Sequence, residues 1–371
     1  MSHENQPSDE VRGTLVQIAC GAMATYTVGA AVRLGVVDLI ADGARTADEL
    51  ATECAAHPQA MGRLLRALAG LGLLEERAGG TFTVTPAGAL LRGDGHRSLH
   101  SFVRMFSDPI MLRAWERLDD SVRTGETSFE AVFGKDFFGH LAEQPELSAD
   151  FNAAMSDGTR DTAAVLPSAF DFGRFTTVAD IGGGDGTLLA AILQAHPSLG
   201  GILFDSAEGL AQAGTKLAHE GLADRCSLVA GDFFATAPVG ADVYLLKSVI
   251  HDWNDAQCTD ILRHCRRVIP DGGRLLIVEP VLPPVVDASV SGVVYLSDLN
   301  MLVNVGGRER TRDDFAQLCR GAGFEIRTVT RLPEPSRFSV IEAAPVQGGS
   351  GAPAGGPGGR PHACDNPAHW G

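Results

Sequence analysis

From about residue 175 the chain alternates five short β-rich runs with helical stretches, and this alternation constrains its fold more than any other feature. The runs are "TVADIG", "GILFD", "CSLVAGD", "VYLLKSVI" and "RLLIVEP". Strands separated by helical crossovers pair in parallel, so the pattern predicts a doubly wound α/β sheet. "FEIRTVTRL" and "RFSVIEAAP" follow as an antiparallel pair that finishes the domain. Open sheets of this kind bind ligands beyond the carboxyl ends of their strands. Functional residues are therefore sought where the five runs end.

Upstream the grammar is helical. "LVQIACGAMATYTVGAAVRLGVVDLI" predicts two helices with little charge on any face, suited to burial against another subunit. Thr46 with Glu49 three residues on is a capping-box pattern, Pro58 opens the next helix, and "GGTFTVTPAG" reads as a short hairpin. Helix, helix and wing outline an all-helical, winged-helix unit over residues 1–100. Residues 101–345 would form a second domain. Its first part, with "MLRAWERLDDSVRTG" and "ELSADFNAAMSDGTRDTAAVL", is helical, and its remainder carries the sheet. The Gly/Pro-rich segment 346–371 is expected to be a disordered tail.

Charge narrows the partners. The 371 residues hold 30 Lys+Arg against 46 Asp+Glu, a formal net charge of −16, which argues against nucleic acid as the main partner. No apolar run approaches a membrane span, and the polar start "MSHENQPSDEVRGT" lacks a signal-peptide core. The seven cysteines are scattered without a C-x-x-C pair, as in a reduced cytoplasmic chain.

"VADIGGGDGTLLAAIL" sets Asp180, Gly182, Gly184 and Gly186 between a strand and a helix, where glycines let backbone approach a ligand at the helix N-terminus. A dinucleotide fingerprint counted from Gly182 needs glycine at 187, where Thr187 stands, and no Walker lysine follows. Asp180 would repel a pyrophosphate but suits a ligand with cationic groups, such as the ammonium and sulfonium of S-adenosylmethionine. A purely structural tight turn is the alternative. Asp205 ends the second run, where an acid can take both ribose hydroxyls. "GDFF", Gly231 to Phe234, ends the third, offering Asp232 to an adenine amine and Phe233 as an apolar wall. Each acid could equally be an ordinary loop opener, yet three at successive strand ends form a pattern.

The fourth run continues as "LLKSVIHDWND". Lys247 cannot stay charged in a core without a partner. It reaches either a cofactor carboxylate and the acids of that pocket, or snorkels to the rim. His251 falls at the mouth of the sheet, and Asp252 or Asn254 can cap the following helix.

Taken in order, "VADIGGGDG", "FD", "GDFF", "LLKSVIHDWND", "LLIVEPVLP" and "NVGGRERT" resemble one family of S-adenosylmethionine-dependent O-methyltransferases. It is the family typified by plant caffeate and flavonoid enzymes, and its bacterial relatives methylate polyketide and other aromatic hydroxyls. The resemblance runs from the N-terminal unit to about residue 345. It implies a Rossmann-like sheet with an N-terminal dimerisation domain, hence a homodimer through the N-terminal helices. It implies that Gly182, Asp205, Asp232, Phe233 and Lys247 bind the cofactor, in a pocket that includes Asp180, Gly184 and Gly231. His251 matches the general base, and Glu279 and Glu309 match the acids that flank it. Phe151, Asn152, Met155, Met301 and Asn304 fall where the family lines its acceptor pocket, although each could equally be core packing.

On this reading Glu279 holds the imidazole's other nitrogen, Glu309 adds a second anchor, and no metal is needed. His362, Cys364 and His369 of the tail are incidental. Two alternatives remain at this point. One is a relative that keeps the cofactor site but hydroxylates, decarboxylates, cyclises or C-methylates. The other is a winged-helix regulator that senses a small molecule.

Overall fold

The computed structural model describes residues 9–95, 98–287 and 291–346. The tail beyond 346, with its three candidate metal ligands, lies outside the described residues. The N-terminal unit comprises α1 (Asp9–Ala19), α2 (Gly21–Arg33), α3 (Val36–Ile40), β1 (Arg45–Thr46), α4 (Ala47–Glu53), α5 (Pro58–Gly70), β2 (Leu74–Arg77) and β3 (Thr81–Val84). The two helices expected before residue 40 are three, because Gly35 takes a left-handed φ of 64° and turns the chain between α2 and α3. Thr46 caps α4 as expected: its hydroxyl accepts from Glu49 N, and the Glu49 carboxylate accepts from Thr46 N at 2.7 Å. The strand order β1-β3-β2 places the short β1 on the hairpin's edge. α1 buries none of its residues, and Leu15, Val16, Ile18 and Met23 are each more than 60% exposed.

A helical layer follows: α6 (His100–Phe106), α7 (Pro109–Leu112), α8 (Leu118–Thr124), α9 (Ser128–Phe133), α10 (Phe137–Ala142) and the long α11 (Pro145–Ala169). The sheet domain is built from β4 (Thr177–Ile181), α12 (Thr187–Ala195), β5 (Gly200–Asp205), α13 (Ala213–His219), β6 (Cys226–Ala230), β7 (Val243–Lys247), α14 (Asp255–Val268), β8 (Arg274–Glu279) and β9 (Val281–Leu282). It continues through α15 (Val293–Asn304), β10 (Arg310–Thr311), α16 (Arg312–Gly321), β11 (Phe324–Arg331) and β12 (Ser339–Pro345).

Seven strands run in the order β11-β12-β8-β7-β4-β5-β6, with β4 to β8 parallel and β12 antiparallel to both neighbours. Strand alternation feeds two cores. Tyr244 and Leu246 pack with α14 and α16 on one face, while Val243 and Leu245 pack with α11 and α12 on the other. The third β-rich run is the least buried of the five. β6 is the sheet's edge, and Leu228 and Val229 stay 43% and 36% exposed. Chain order reverses at β4, between β5 and β7, so the topology directs a ligand to the loops after these strands.

No helix among the described residues is by itself long and apolar enough to cross a membrane. α1 and α2 reach that length only as a pair, bent by 50°.

Candidate active site

The loop after β4 is shaped by its glycines. Gly182 and Gly184 have φ of 69° and 57°, values that ordinary side chains rarely adopt, and a Cβ on Gly182 would strike Val249 at 2.8 Å. Asp180 beneath the loop is 2% exposed, and its Oδ2 has no hydrogen-bond donor among the described residues. Burial, reinforced by the nearby Asp205, pushes its pKa up to about 7 although Lys247 opposes the rise. A buried carboxylate lacking a donor fits a ligand that brings a positive, hydrogen-bonding group, as the cofactor's ammonium would.

Asp205 is committed on both oxygens: Oδ2 accepts from Gly184 N at 2.8 Å and Oδ1 from Ser206 N at 2.7 Å. It thereby ties the end of β5 to the glycine loop, and burial still lifts its pKa. Each oxygen retains a lone pair for a ribose hydroxyl. Gly231 donates its N–H to Asp205 O, and the Phe204 ring lies where its Cβ would be, at 2.6 Å. Asp232 accepts from Phe234 N, and the Phe233 ring comes to 3.8 Å from the position a Gly182 Cβ would take. Lys247 donates to Thr159 Oγ1 at 3.0 Å and lies 5.0 Å from the Phe338 ring centroid. Burial pushes its pKa down to about 8 against the pull of Glu279, Asp180 and Asp252. The loops after β4, β5 and β6 and the end of β7 thus bring the expected cofactor residues to one edge of the sheet.

β7 hands over to the His251 turn through Ser248, a non-glycine residue at φ 54°. Asn254, not Asp252, caps α14, in a capping box with Gln257. Two short strands set the acids beside the turn. β9 and β10 pair in parallel, Arg310 opposite Val281, which holds Glu309 alongside Glu279 at the end of β8. The expected roles of the two acids are inverted. Glu309 makes the hydrogen bond to the imidazole, Oε1 to Nδ1 at 3.2 Å, and is itself held by Ser297 Oγ at 2.9 Å. Glu279 Oε1 is committed to the amides of Val249 and Ile250, at 3.0 and 2.9 Å, while its Oε2 stands 3.5 Å from Nδ1. Glu279 is needed where it is because these amides open a short turn and have no carbonyl behind them.

With two carboxylates on the Nδ1 side, that nitrogen keeps its proton, and Nε2 is the position that releases and takes one. Asp252 Oδ1 lies 3.5 Å from Nε2. Burial opposes charge on the imidazole, but Glu279, Asp252 and Glu309 outweigh it and push the pKa up to about 10. Burial lifts Glu279 itself, to about 7, and Asp252 to about 6. His251, Glu279 and Glu309 each present a ligand atom within 4.8 Å of the others, a spacing that could hold a metal ion.

The acceptor-side residues divide. Phe151 packs edge-on against Phe137 and Phe138, and Phe138 lies 5.2 Å from Trp253, so aromatic rings run from α11 to the His251 turn. Met155 belongs to the same apolar cluster. Met301 and Asn304 face inward on α15, at 9% and 2% exposure. Asn304 Nδ2 donates to Asn300 Oδ1, which also accepts from Trp115 Nε1. Asn152 departs from the group: its Nδ2 reaches Glu208 O and Gln212 Oε1 in the segment after β5, on the cofactor side.

Several residues here escape sequence reasoning. Asp252 looks like a cap, and Ser297 and Thr159 sit in unremarkable helical sequence. Gly307 is different, because its signal lies within "NVGGRERT". A Cβ on Gly307 would overlap the carbonyl of His251 and stand 2.6 Å from Trp253 N, so this backbone presses directly on the turn. Gly307→Ala is expected to lower turnover by about 100-fold, the effect of moving a reacting group by roughly an ångström, with cofactor affinity kept. Unchanged turnover would show that the turn adapts.

Comparison with known proteins identifies the family of similar chains. Residues 115–325 match the family model of the O-methyltransferase domain, and residues 16–93 match that of the O-methyltransferase dimerisation domain. The chain is 46% identical over 334 residues to O-demethylpuromycin-O-methyltransferase of Streptomyces alboniger, covering 90% of this chain and 89% of that one. The crystal structure of LaPhzM superposes with a TM-score of 0.86 at 40% identity, over 91% of this chain and 99% of that one. An O-methyltransferase from neocarzinostatin biosynthesis, solved with S-adenosylmethionine and 2-hydroxy-5-methyl naphthoic acid, has a TM-score of 0.75 at 32% identity, over 87% and 96% of the two chains.

Proposed function

The chain belongs to the O-methyltransferase family, and from that premise we propose that it methylates a phenolic hydroxyl of an aromatic small molecule with His251 as general base. It is an S-adenosylmethionine-dependent enzyme of the type found in bacterial secondary metabolism. The observation that carries the base is the His251 imidazole, with Glu279 and Glu309 on Nδ1, so that Nε2 is the atom that takes the acceptor's proton once its own is released. Asp180, Gly182, Gly184, Asp205, Gly231, Asp232, Phe233 and Lys247 would hold the cofactor. Phe151, Met155, Met301 and Asn304 would line the acceptor pocket, and Asn152 would brace α11 against the segment after β5. The chain divides into a dimerisation unit to residue 100 and a catalytic domain over 101–345. The exposed apolar face of α1 and α2 would be covered by a second copy of the chain.

When bound, S-adenosylmethionine supplies a methyl group on a positively charged sulfur. The residues must position the acceptor and take its proton. A phenol of pKa about 10 is almost wholly protonated at neutral pH. The carboxylates around His251 raise its proton affinity to match, so transfer from oxygen to Nε2 is close to balanced. The same acids hold a proton on the imidazole at neutral pH, so His251 acts as base in the fraction of molecules from which Nε2 has lost it. Trp253, Phe138 and Phe233 supply the apolar wall that keeps water from this charge rearrangement.

Titration calorimetry with S-adenosylmethionine and S-adenosylhomocysteine should show binding of both. Methyl transfer should follow with O-demethylpuromycin or 2-hydroxy-5-methyl naphthoic acid as first acceptors. Cofactor binding without transfer to any phenol would refute O-methylation, and no binding would refute the cofactor site.

A further inference from the structure

Arg310 is the largest fully buried side chain among the described residues. Its five N–H groups are all used. Nη1 donates to Ile250 O at 2.7 Å and to Arg308 O at 3.2 Å. Nη2 donates to Trp253 O at 2.8 Å and to Asp255 Oδ1 at 2.7 Å, and Nε reaches the same Asp255 oxygen at 3.1 Å. Ile250 and Trp253 bracket His251 and Asp252. The guanidinium therefore grips the carbonyls on either side of the base, while Glu279 grips the amides of Val249 and Ile250 from β8. Successive residues of a strand point to opposite sides. Where the chain enters β10 this sends Glu309 to the imidazole and Arg310 beneath the turn, so one dipeptide addresses both the ring and its backbone.

We propose that Arg310 is a positioning residue for methyl transfer, fixing the His251 turn so that Nε2 meets the acceptor hydroxyl. The assignment rests on His251 acting as the base. A single 3-10 turn entered through the left-handed Ser248 has only the long backbone bonds Asp252 N to Val249 O and Trp253 N to Ile250 O to hold it, and a planar guanidinium is suited to bind three carbonyls and a carboxylate at once. Lysine keeps the charge but offers one nitrogen where three are used.

The test is a double-mutant cycle on the full chain, with S-adenosylmethionine and whichever of the two named acceptors the wild type methylates. Arg310→Lys should lower kcat about 10- to 30-fold at pH 7.5, with KM for S-adenosylmethionine within twofold. The deficit should shrink towards pH 10, where the phenol ionises unaided. In a His251→Ala background the same substitution should cost nothing further. Asp255→Ala, at a half-exposed position that leaves the core intact, should reproduce a smaller deficit of about threefold, again only where His251 is present. The proposal is overturned if Arg310→Lys loses the same factor with and without His251, or at every pH, since a general loss of stability would act that way. It is also overturned if Asp255→Ala has no effect. If His251→Ala alone retains full activity, the base assignment fails, which separates that failure from one confined to Arg310.

Discussion

His251→Ala should lower kcat by about two to four orders of magnitude at neutral pH while leaving S-adenosylmethionine binding near normal, the range general acid–base catalysis contributes. The imidazole is 15% exposed and touches the cofactor edge only through the turn that carries it, so its removal leaves the glycine loop and Asp205 untouched. The acids it leaves behind matter more. Glu279 and Glu309 are 0% and 3% exposed, and each already has one oxygen without a donor. Without the imidazolium Glu279, whose pKa burial already lifts, will take up a proton, so the variant should lose its wild-type pH response as well as its rate. In the wild type, kcat/KM for the acceptor should rise with pH from 7 towards 10, as the proton held on His251 is released. In the variant the rise should instead follow ionisation of the free phenol. Steady-state rates across that range, with calorimetry for the cofactor, check both statements. A variant with wild-type turnover would mean that proximity alone drives the reaction.

Asp180→Asn should move binding and stability in opposite directions. The carboxyl is buried with one oxygen unpaired, and its pKa stands near 7 against an ordinary 3.8. A carboxyl whose folded pKa is raised favours folding below its unfolded value, and that advantage is lost as pH rises through 7. At pH 8 the ionised Asp180 therefore costs folding free energy, on the order of a few kcal/mol, and the neutral amide removes the cost. The variant should melt higher than wild type at pH 8 and close to it at pH 4. A cationic ligand would lose its charged partner, so S-adenosylmethionine affinity should fall about 10- to 100-fold, the worth of one charge-assisted hydrogen bond. A lower melting temperature at pH 8, or unchanged affinity, would show that Asp180 is satisfied by the protein itself. The raised stability and weakened function would share one cause, a polar group held ready for a ligand.

Much of the fold was legible because its signals are local. The five β-rich runs became β4 to β8, since apolar strands of that length between amphipathic helices have few other ways to bury themselves. Thr46 and Asn254 capped their helices through side-chain chemistry that spans three residues. Gly182 and Gly184 took the left-handed conformations a strand-to-helix ligand loop requires. The exposure of β6 was not legible, because only its place at the sheet edge decides it.

What the sequence determined by itself was the class of fold and the edge of the sheet where a ligand is expected, while the family resemblance singled out His251, Glu279 and Glu309 as the proposed base and its acids. The division of labour among them was decided by the tertiary structure. Glu279 and Glu309 are the same kind of group, and nothing in "IVEP" or "GGRERT" says which one faces the imidazole. That depends on the β9–β10 pairing, between segments almost thirty residues apart in the chain, which leaves Glu279 under the amides of the turn and Glu309 against Nδ1. The same pairing places Arg310 behind His251 and Gly307 against its carbonyl. Hydrogen bonds to backbone carry no signature in the sequence of either partner, because every residue offers the same amide and carbonyl.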